Sequence, residues 1–147
     1  MLSSKAKYAL RAVVVLAEEA PSARWTSAAA IAERAAVPRK FLEAILVELR
    51  DSGLLESRRG LAGGHRLSGA ADRISLADII RVTDGPIALT PCASRTEFAP
   101  CKDCEDVKKC ALRHVMLRVR DAAAGVLEGT SVNDLLVLGL EKDENST

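Results

Sequence analysis

The chain has 147 residues, 48% apolar and 28% charged, with a formal net charge of +1. That length and balance suit one compact domain, or a small domain with a short accessory segment, and exclude a disordered or collagen-like chain. The small net charge hides an asymmetry: residues 1–75 carry twelve Lys/Arg against eight Asp/Glu, and residues 76–147 carry nine against twelve. A basic N-terminal half suits a polyanion partner. The most apolar run, Val13 to Ala17, falls far short of the roughly 20 residues a membrane span needs. The start, Met-Leu-Ser-Ser-Lys, shows no secretory pattern, so the expected compartment is the cytoplasm, with no membrane partner.

Twenty-four alanines and four aromatic residues favour helices packed through small side chains. Leu2 to Ala20 reads as the first helix, capped by Ser3 or Ser4. Its expected apolar face is Tyr8, Leu10, Val13, Val14, Leu16 and Ala17. Ser27 caps a short helix, Ala28 to Ala35, and Pro38 opens another that Gly53 ends after Asp51. The buried positions expected on that third helix are Phe41, Leu42, Ile45, Leu46 and Leu49. Two short helices joined by so few residues form a helix-turn-helix. The segments 54–57 and 65–68 then read as paired strands around a tip rich in glycine and arginine. The expected fold is therefore mainly α, a winged helix-turn-helix with a small β-hairpin wing.

Ser75 caps a further helix, Leu76 to Val82, which Asp84-Gly85-Pro86 ends. A loop over 86–109 follows, and a loop of that length inside a compact chain carries function or is disordered. The next helix spans Cys110 to Glu128. Its Leu112, Val115, Met116, Val119, Ala122, Ala123, Val126 and Leu127 fall in one arc about 140° wide, more than the small domain can cover. That predicts a two-fold dimerisation helix, against the plainer reading that it packs on its own domain. A last short helix covers Val132 to Leu138, and Glu141 to Thr147 is expected to fray. The organisation expected is a DNA-binding domain over 1–85, a cysteine-bearing loop over 86–109, and a dimerisation helix with tail over 110–147.

The start of the second helix of a helix-turn-helix meets base edges in the major groove. Arg39, Lys40, Phe41 and Glu43 stand there. Arg39 and Lys40 suit guanine or phosphate, and Glu43 can accept from a cytosine amino group. The wing adds Arg58, Arg59, Gly63, Gly64 and His65, with Arg66 beside them. An arginine on a thin hairpin can enter a minor groove. The glycines do not make a nucleotide loop, since no Gly-Lys-Ser/Thr end follows. Double-stranded DNA is thus the expected partner.

All four cysteines lie between Cys92 and Cys110. A disulfide framework would spread through a small secreted fold, so the cluster points to a metal or a redox thiol site. Cys92, Cys101, Cys104 and Cys110 lack the two close pairs of a zinc ribbon. Their spacing suits an open, loop-held iron–sulfur cluster, either 2Fe–2S or 4Fe–4S, with zinc as the alternative because four sulfurs suit either metal. His114 lies four residues after Cys110 on the same helical side, which makes it a competing ligand. A small redox protein is the reading from another class, but it needs no basic wing, and the Cys-x-x-Cys lacks a βαβ setting.

The chain resembles the iron–sulfur and redox-responsive winged-helix regulators of the IscR/NsrR type, the Rrf-two family. The resemblance is carried by the N-terminal Leu2-Ser3-Ser4-Lys5-Ala6-Lys7-Tyr8-Ala9-Leu10, Ile31-Ala32-Glu33-Arg34 and Phe41-Leu42-Glu43. It continues through Leu49-Arg50-Asp51-Ser52-Gly53-Leu54, the wing signature Arg59-Gly60-x-x-Gly63-Gly64, and Cys110 before Thr130-Ser131-Val132-Asn133-Asp134-Leu135. It implies a homodimeric repressor on a palindromic operator, with no enzymatic activity. By resemblance, Glu43 and Arg59 match the positions of base and minor-groove readout, and Cys92, Cys104 and Cys110 match the cluster ligands. Cys101 is an extra cysteine, expected in the fourth position. Where some relatives place an acidic ligand in the first helix, this chain has Tyr8; where others place a histidine three residues after the last cysteine, it has Arg113.

Overall fold

A computed structural model describes residues 2–144, with side chains through 139. Among the described residues there are six helices and one hairpin: α1 (Ser4–Glu19), α2 (Ala28–Ala35), α3 (Arg39–Asp51), β1 (Leu55–Arg58), β2 (Gly64–Leu67), α4 (Leu76–Asp84), α5 (Ala111–Glu128) and α6 (Val132–Glu144). Short 3-10 turns occupy Ala20–Ser22, Ala71–Arg73 and Pro91–Ala93. Among the described residues no helix is long and apolar enough to cross a membrane.

Ser3 caps α1 by accepting from the Ala6 amide at 3.0 Å, which satisfies one of the free donors of the first turn. The Ser3 backbone in turn donates to Asp84 Oδ2 at 2.9 Å, so a carboxylate from the end of α4 sits at the positive end of α1. The face that α1 buries includes Val13, Leu16 and Ala17 of the expected set and extends to alanines outside it. Ala6, Ala9, Ala12, Val13, Val15, Leu16 and Ala17 are buried, while Tyr8, Leu10 and Val14 are half-buried. The reason is crowding. α1 packs against α2, α3, α4, α6 and β2 at once; its alanines let neighbouring elements approach closely, while Val13, Val15 and Leu16 fill the space between them.

The helix-turn-helix forms where expected. Ser27 caps α2 through the Ala30 amide, and Ala36 ends it in the left-handed region at φ 52°. α3 buries Leu42, Ile45, Leu46 and Leu49. Phe41 departs from the expected buried set: it is 56% exposed, because it sits one position off the inward stripe of α3. The hairpin pairs Leu55 with Leu67, Glu56 with Arg66, Ser57 with His65 and Arg58 with Gly64. Both strands thus start one residue away from the expected spans. Leu54 is taken by the end of α3, where its amide bonds the Leu49 carbonyl at 3.0 Å, and the strand begins after it.

α4 carries a capping box between Ser75 and Asp78 and runs two residues past the expected end, to Asp84. After α5 the chain returns to the first core. The Leu76 amide bonds the Thr130 carbonyl at 2.9 Å and the Val132 amide bonds the Ile74 carbonyl at 2.8 Å. Val132 joins the same buried cluster as Leu16, Ile31 and Leu46. α6 continues to Glu144 rather than ending at Leu138, so Glu141–Glu144 is helical; the rest of the expected frayed tail, 145–147, lies outside the described residues.

The alanine stripe generates a prediction. Ala9, fully buried, should tolerate no larger residue. Ala9→Leu is expected to cost about 1–3 kcal/mol by overpacking, read as a lower urea midpoint with an unchanged slope.

Candidate functional site

The N-terminal turn of α3 presents the first set of functional side chains. Pro38 precedes it and supplies no side-chain cap, so the Arg39 and Lys40 amides face outward without a helical partner. Arg39, Lys40, Phe41 and Glu43 are all exposed. Arg39 Nε donates to Glu43 Oε1 at 3.1 Å, one turn along the helix. An exposed pair of this kind contributes little, so exchanging it for a base edge or a phosphate costs little. Phe41 and Lys40 border a shallow groove shared with Lys5 and Tyr8 of α1.

The wing has two chemically different faces, set by strand alternation. Leu55, Ser57, His65 and Leu67 share the face toward the core, where Leu55 and Leu67 are buried. Glu56, Arg58, Gly64 and Arg66 share the outer face. Thr26 adds a one-residue third strand: its amide donates to the His65 carbonyl at 3.0 Å, and its carbonyl accepts from the His65 amide at 2.8 Å. Gly64 is required by that contact, since a Cβ there would lie 2.4 Å from the Thr26 carbonyl oxygen. Gly63 is required by the turn, where a Cβ would lie 2.1 Å from the Arg58 carbonyl oxygen.

His65 Nδ1 lies 2.7 Å from Ser57 Oγ. Burial, aided by the Arg50 charge, pushes the imidazole below its ordinary value, so it is neutral at pH 7 and acts as packing. Arg59 stands exposed at the start of the tip. Arg66 is tied to Glu56 at 2.8 Å and lies 4.3 Å from the Trp25 ring centre. Nothing in the sequence patterning marked Trp25 or Thr26, because their role arises only when the loop before α2 meets the hairpin.

The cysteine loop forms a second centre. All four thiols, with Thr90 and Arg113, line one cavity of about 170 Å³. Cys92 is buried in the 3-10 turn and the other three are partly exposed; all four are free thiols. Cys101 and Cys104 are closed into a turn by the Cys104 amide on the Cys101 carbonyl at 3.1 Å. Cys110 stands at the N-cap of α5. Cys92 Sγ lies 3.4 Å from Thr90 Oγ1 and 3.8 Å from Cys101 Sγ. The Thr90 hydroxyl, with help from Cys101 and the Arg113 charge, holds the Cys92 thiol below its usual range; the same contact with Cys92 holds Cys101 above it.

Two thiolates on one tetrahedral metal, each bonded at about 2.3 Å, sit roughly 3.8 Å apart. The Cys92–Cys101 separation and the all-sulfur donor set therefore fit a thiolate-held metal or cluster. Among the described residues, no three His, Cys, Asp or Glu side chains are yet drawn to one point, so the loop forms an open basin rather than a closed cage. His114 is exposed and does not line the cavity, whereas Arg113, one residue earlier, does.

Two side-chain links join this loop to α5. Arg113 Nε donates to the Cys92 carbonyl at 3.0 Å, and its guanidinium lies 5.8 Å from the Phe98 ring centre. Arg95 forks onto Asp121 at 2.9 and 2.6 Å. The Arg95 bonds, supported by Arg120, hold the Asp121 carboxyl down at about 2. The expected apolar arc of α5 divides. Met116, Ala123 and Leu127 are half-buried, whereas Leu112, Val115, Val119, Ala122 and Val126 remain exposed.

Comparison with known proteins agrees with this geometry. The Rrf2 family, described as an iron-dependent transcriptional regulator, matches residues 2–137. The chain is 38% identical over 141 residues to an rrf2-like HTH-type transcriptional regulator of Rhodobacter capsulatus, covering 95% of this chain and 94% of that protein. It is 35% identical over 137 residues to the HTH-type transcriptional regulator CymR of Bacillus subtilis, covering 91% and 88%. Among solved structures, CymR of B. subtilis, titled its global cysteine regulator, superposes with a TM-score of 0.75 at 33% identity, over 94% of this chain and 97% of that one. IscR of T. potens superposes with a TM-score of 0.70 at 28% identity, over 95% and 88%.

The Arg95–Asp121 link yields a pH prediction. A carboxyl lowered from 3.8 to about 2 stabilises the linked state above its ordinary value, and that contribution disappears as pH falls through about 2. The Arg95 Nε proton resonance should therefore titrate with a midpoint near pH 2 in the wild type. In Asp121→Asn it should stay at the position of a solvated arginine throughout.

Proposed function

This chain belongs to the Rrf2 family of transcriptional regulators, and from that premise we propose that it is a homodimeric repressor whose hold on a palindromic operator depends on a thiolate-held iron–sulfur cluster. It is a DNA-binding transcriptional regulator and not an enzyme. The observation that carries the finer reading is the single cavity lined by all four cysteines and tied to α5.

On the DNA side, Arg39, Lys40, Phe41 and Glu43 at the start of α3 are assigned to the major groove. Arg58 and Arg59 are assigned to the backbone and the minor groove. Gly63 and Gly64 shape the turn that carries them, and His65 supports it from the core face. The exposed stripe Leu112, Val115, Val119, Ala122 and Val126 on α5 is assigned to a second copy, because a two-fold contact covers one patch with itself. Such a dimer spaces two α3 helices for the two halves of a palindrome. The expected compartment is the cytoplasm.

On the sensing side, Cys92, Cys104 and Cys110 would hold the cluster, with Cys101 in the fourth position and His114 as the competitor. A bound iron–sulfur centre supplies an inorganic group whose redox state and integrity respond to oxidants, nitric oxide or iron supply. Arg113 places a positive charge on the thiolate basin and fixes the Cys92 carbonyl. Arg95 couples the loop to the middle of α5 through Asp121. Any change in the order of the loop is thereby felt by the helix assigned to the dimer, which is the coupling between two sites that regulation needs.

A second reading keeps the DNA function and replaces the cluster with bare thiols that sense oxidants. The 3.8 Å contact of Cys92 with Cys101 suits it as well as it suits a metal, and the likeness to Staphylococcus aureus CymR, solved in an oxidized form, supports it. Structural zinc in the same basin is the remaining alternative.

Protein purified without oxygen separates these readings. A brown sample with charge-transfer bands is expected, and a colourless one with one zinc per chain, or none, would sink the cluster. Cys92→Ala, Cys104→Ala and Cys110→Ala should each abolish the visible absorption. Cys101→Ala should leave a labile or altered spectrum, and His114→Ala an unchanged one. Arg59→Ala should cost about 1–3 kcal/mol on a selected operator and relax specificity at one position, measured by fluorescence anisotropy.

A further inference from the structure

A two-stranded hairpin is marginal by itself, and Leu61 at the tip of this wing is fully exposed. Its aim depends on what fixes it to the helices. The Thr26–His65 pairing fixes one edge, and strand alternation then settles where Trp25 must go. Thr26 is buried and pairs with His65 on the core face, so the residue before it lies on the outer face, with Arg58 and Arg66. The contacts agree: the Trp25 ring centre is 4.3 Å from the Arg66 guanidinium carbon and 6.0 Å from that of Arg58.

The two arginines are not equivalent. Arg66 is held twice, by Glu56 at 2.8 Å and by the indole. Arg58 has no acidic partner among the described residues and lies over the same ring, its guanidinium carbon 6.0 Å from the ring centre. An arginine resting on an aromatic face keeps its charge and its hydrogen-bond donors while losing much of its rotamer freedom. Such a side chain meets a phosphate with less ordering left to do.

We propose that Trp25 is a positioning residue for DNA binding: clamped by Arg66, its indole holds Arg58 on the outer face of the wing in an ordered state that engages a backbone phosphate. This rests on the DNA-binding reading above and names a residue outside the recognition helix and outside the wing itself. Arg66 is a strut in this arrangement, and Arg58 is the group that touches DNA.

The full-length protein is titrated into a short duplex of random sequence across a range of salt, and each variant's melting midpoint is recorded alongside. Trp25→Leu should weaken binding by roughly three- to tenfold and lower the slope of log Kd against log salt by about 1.8, the share of one phosphate at each of the homodimer's two wings. Arg58→Gln should do the same. The double variant should bind no more weakly than Arg58→Gln alone, because the indole acts through that arginine. Trp25→Phe, which keeps an aromatic face, should retain most of the affinity and the wild-type slope. The proposal is overturned if the two single losses multiply in the double variant, or if Trp25→Leu keeps the wild-type salt slope. It is also overturned if Trp25→Phe binds as weakly as Trp25→Leu, or if affinity falls only in step with the melting midpoint. A wild-type protein that shows no salt-dependent DNA binding would instead overturn the DNA reading, and that arm alone would reveal it. Since Trp25 is the sole tryptophan, its native emission maximum in Arg58→Gln verifies that the wing is still docked.

Discussion

The methyl-sized face of α1 is the constraint on which the rest of the fold depends. Ala6, Ala9 and Ala12 recur every three residues along one side of that helix, and all are fully buried. Helix axes approach closest where the side chains between them are smallest, so α2, α3, α4, α6 and β2 can share one central helix. The consequence is geometric. The recognition helix and the wing are both referenced to α1, and their mutual placement is a matter of packed backbone rather than of loops. Asp84 at the head of α1 adds a lock between the first and fourth helices. The return of Val132 to the same core closes the domain from the C-terminal side.

The wing obeys a second, smaller constraint. Its two strands could form a hairpin anywhere, yet Gly64 meets the Thr26 backbone so closely that only a residue without a Cβ fits. That close approach turns a loop residue into a third strand and fixes which face of the hairpin looks inward. His65 stays neutral inside this contact because burial disfavours its charge. The base of the hairpin is thus fixed by backbone contact, while Leu61 at its tip is exposed.

The cysteine loop is held differently. It has few apolar anchors beyond Cys92 and Ala93 and is fastened by exposed ion pairs and hydrogen bonds. Such links contribute little each, so the loop belongs to the low-stability end of the molecule, the part from which switching elements are drawn. Its fastenings nevertheless run to α5, so a change of order in the loop has a direct route to that helix. The Arg113 cation, at the lining of the cysteine cavity, favours the thiolate form of Cys92.

By itself, the sequence established the order and type of the elements from caps, turns and periodicity. Ser3, Ser27 and Ser75 act as the N-caps their positions implied, and the helix-turn-helix, wing and long C-terminal helix stand where expected. It also grouped four thiols within one short segment, and the structure brings all four to the lining of one cavity. The tertiary structure decided what depends on distance across the chain. It added Ala6, Ala9 and Ala12 to the packed face of α1 and left Tyr8, Leu10 and Val14 only half-buried, because crowding by several neighbours is invisible to a periodicity that counts large apolar residues. It exposed Phe41, which lies one step off the inward stripe of α3. It turned Arg113 rather than His114 into the cysteine cavity, since a single residue rotates a helical side chain by about 100° and the facing loop, not the helix, determines which side lines the basin. It also brought Trp25 beneath the wing arginines. That contact joins residues more than thirty positions apart and follows from strand alternation only once Thr26 is known to pair with His65.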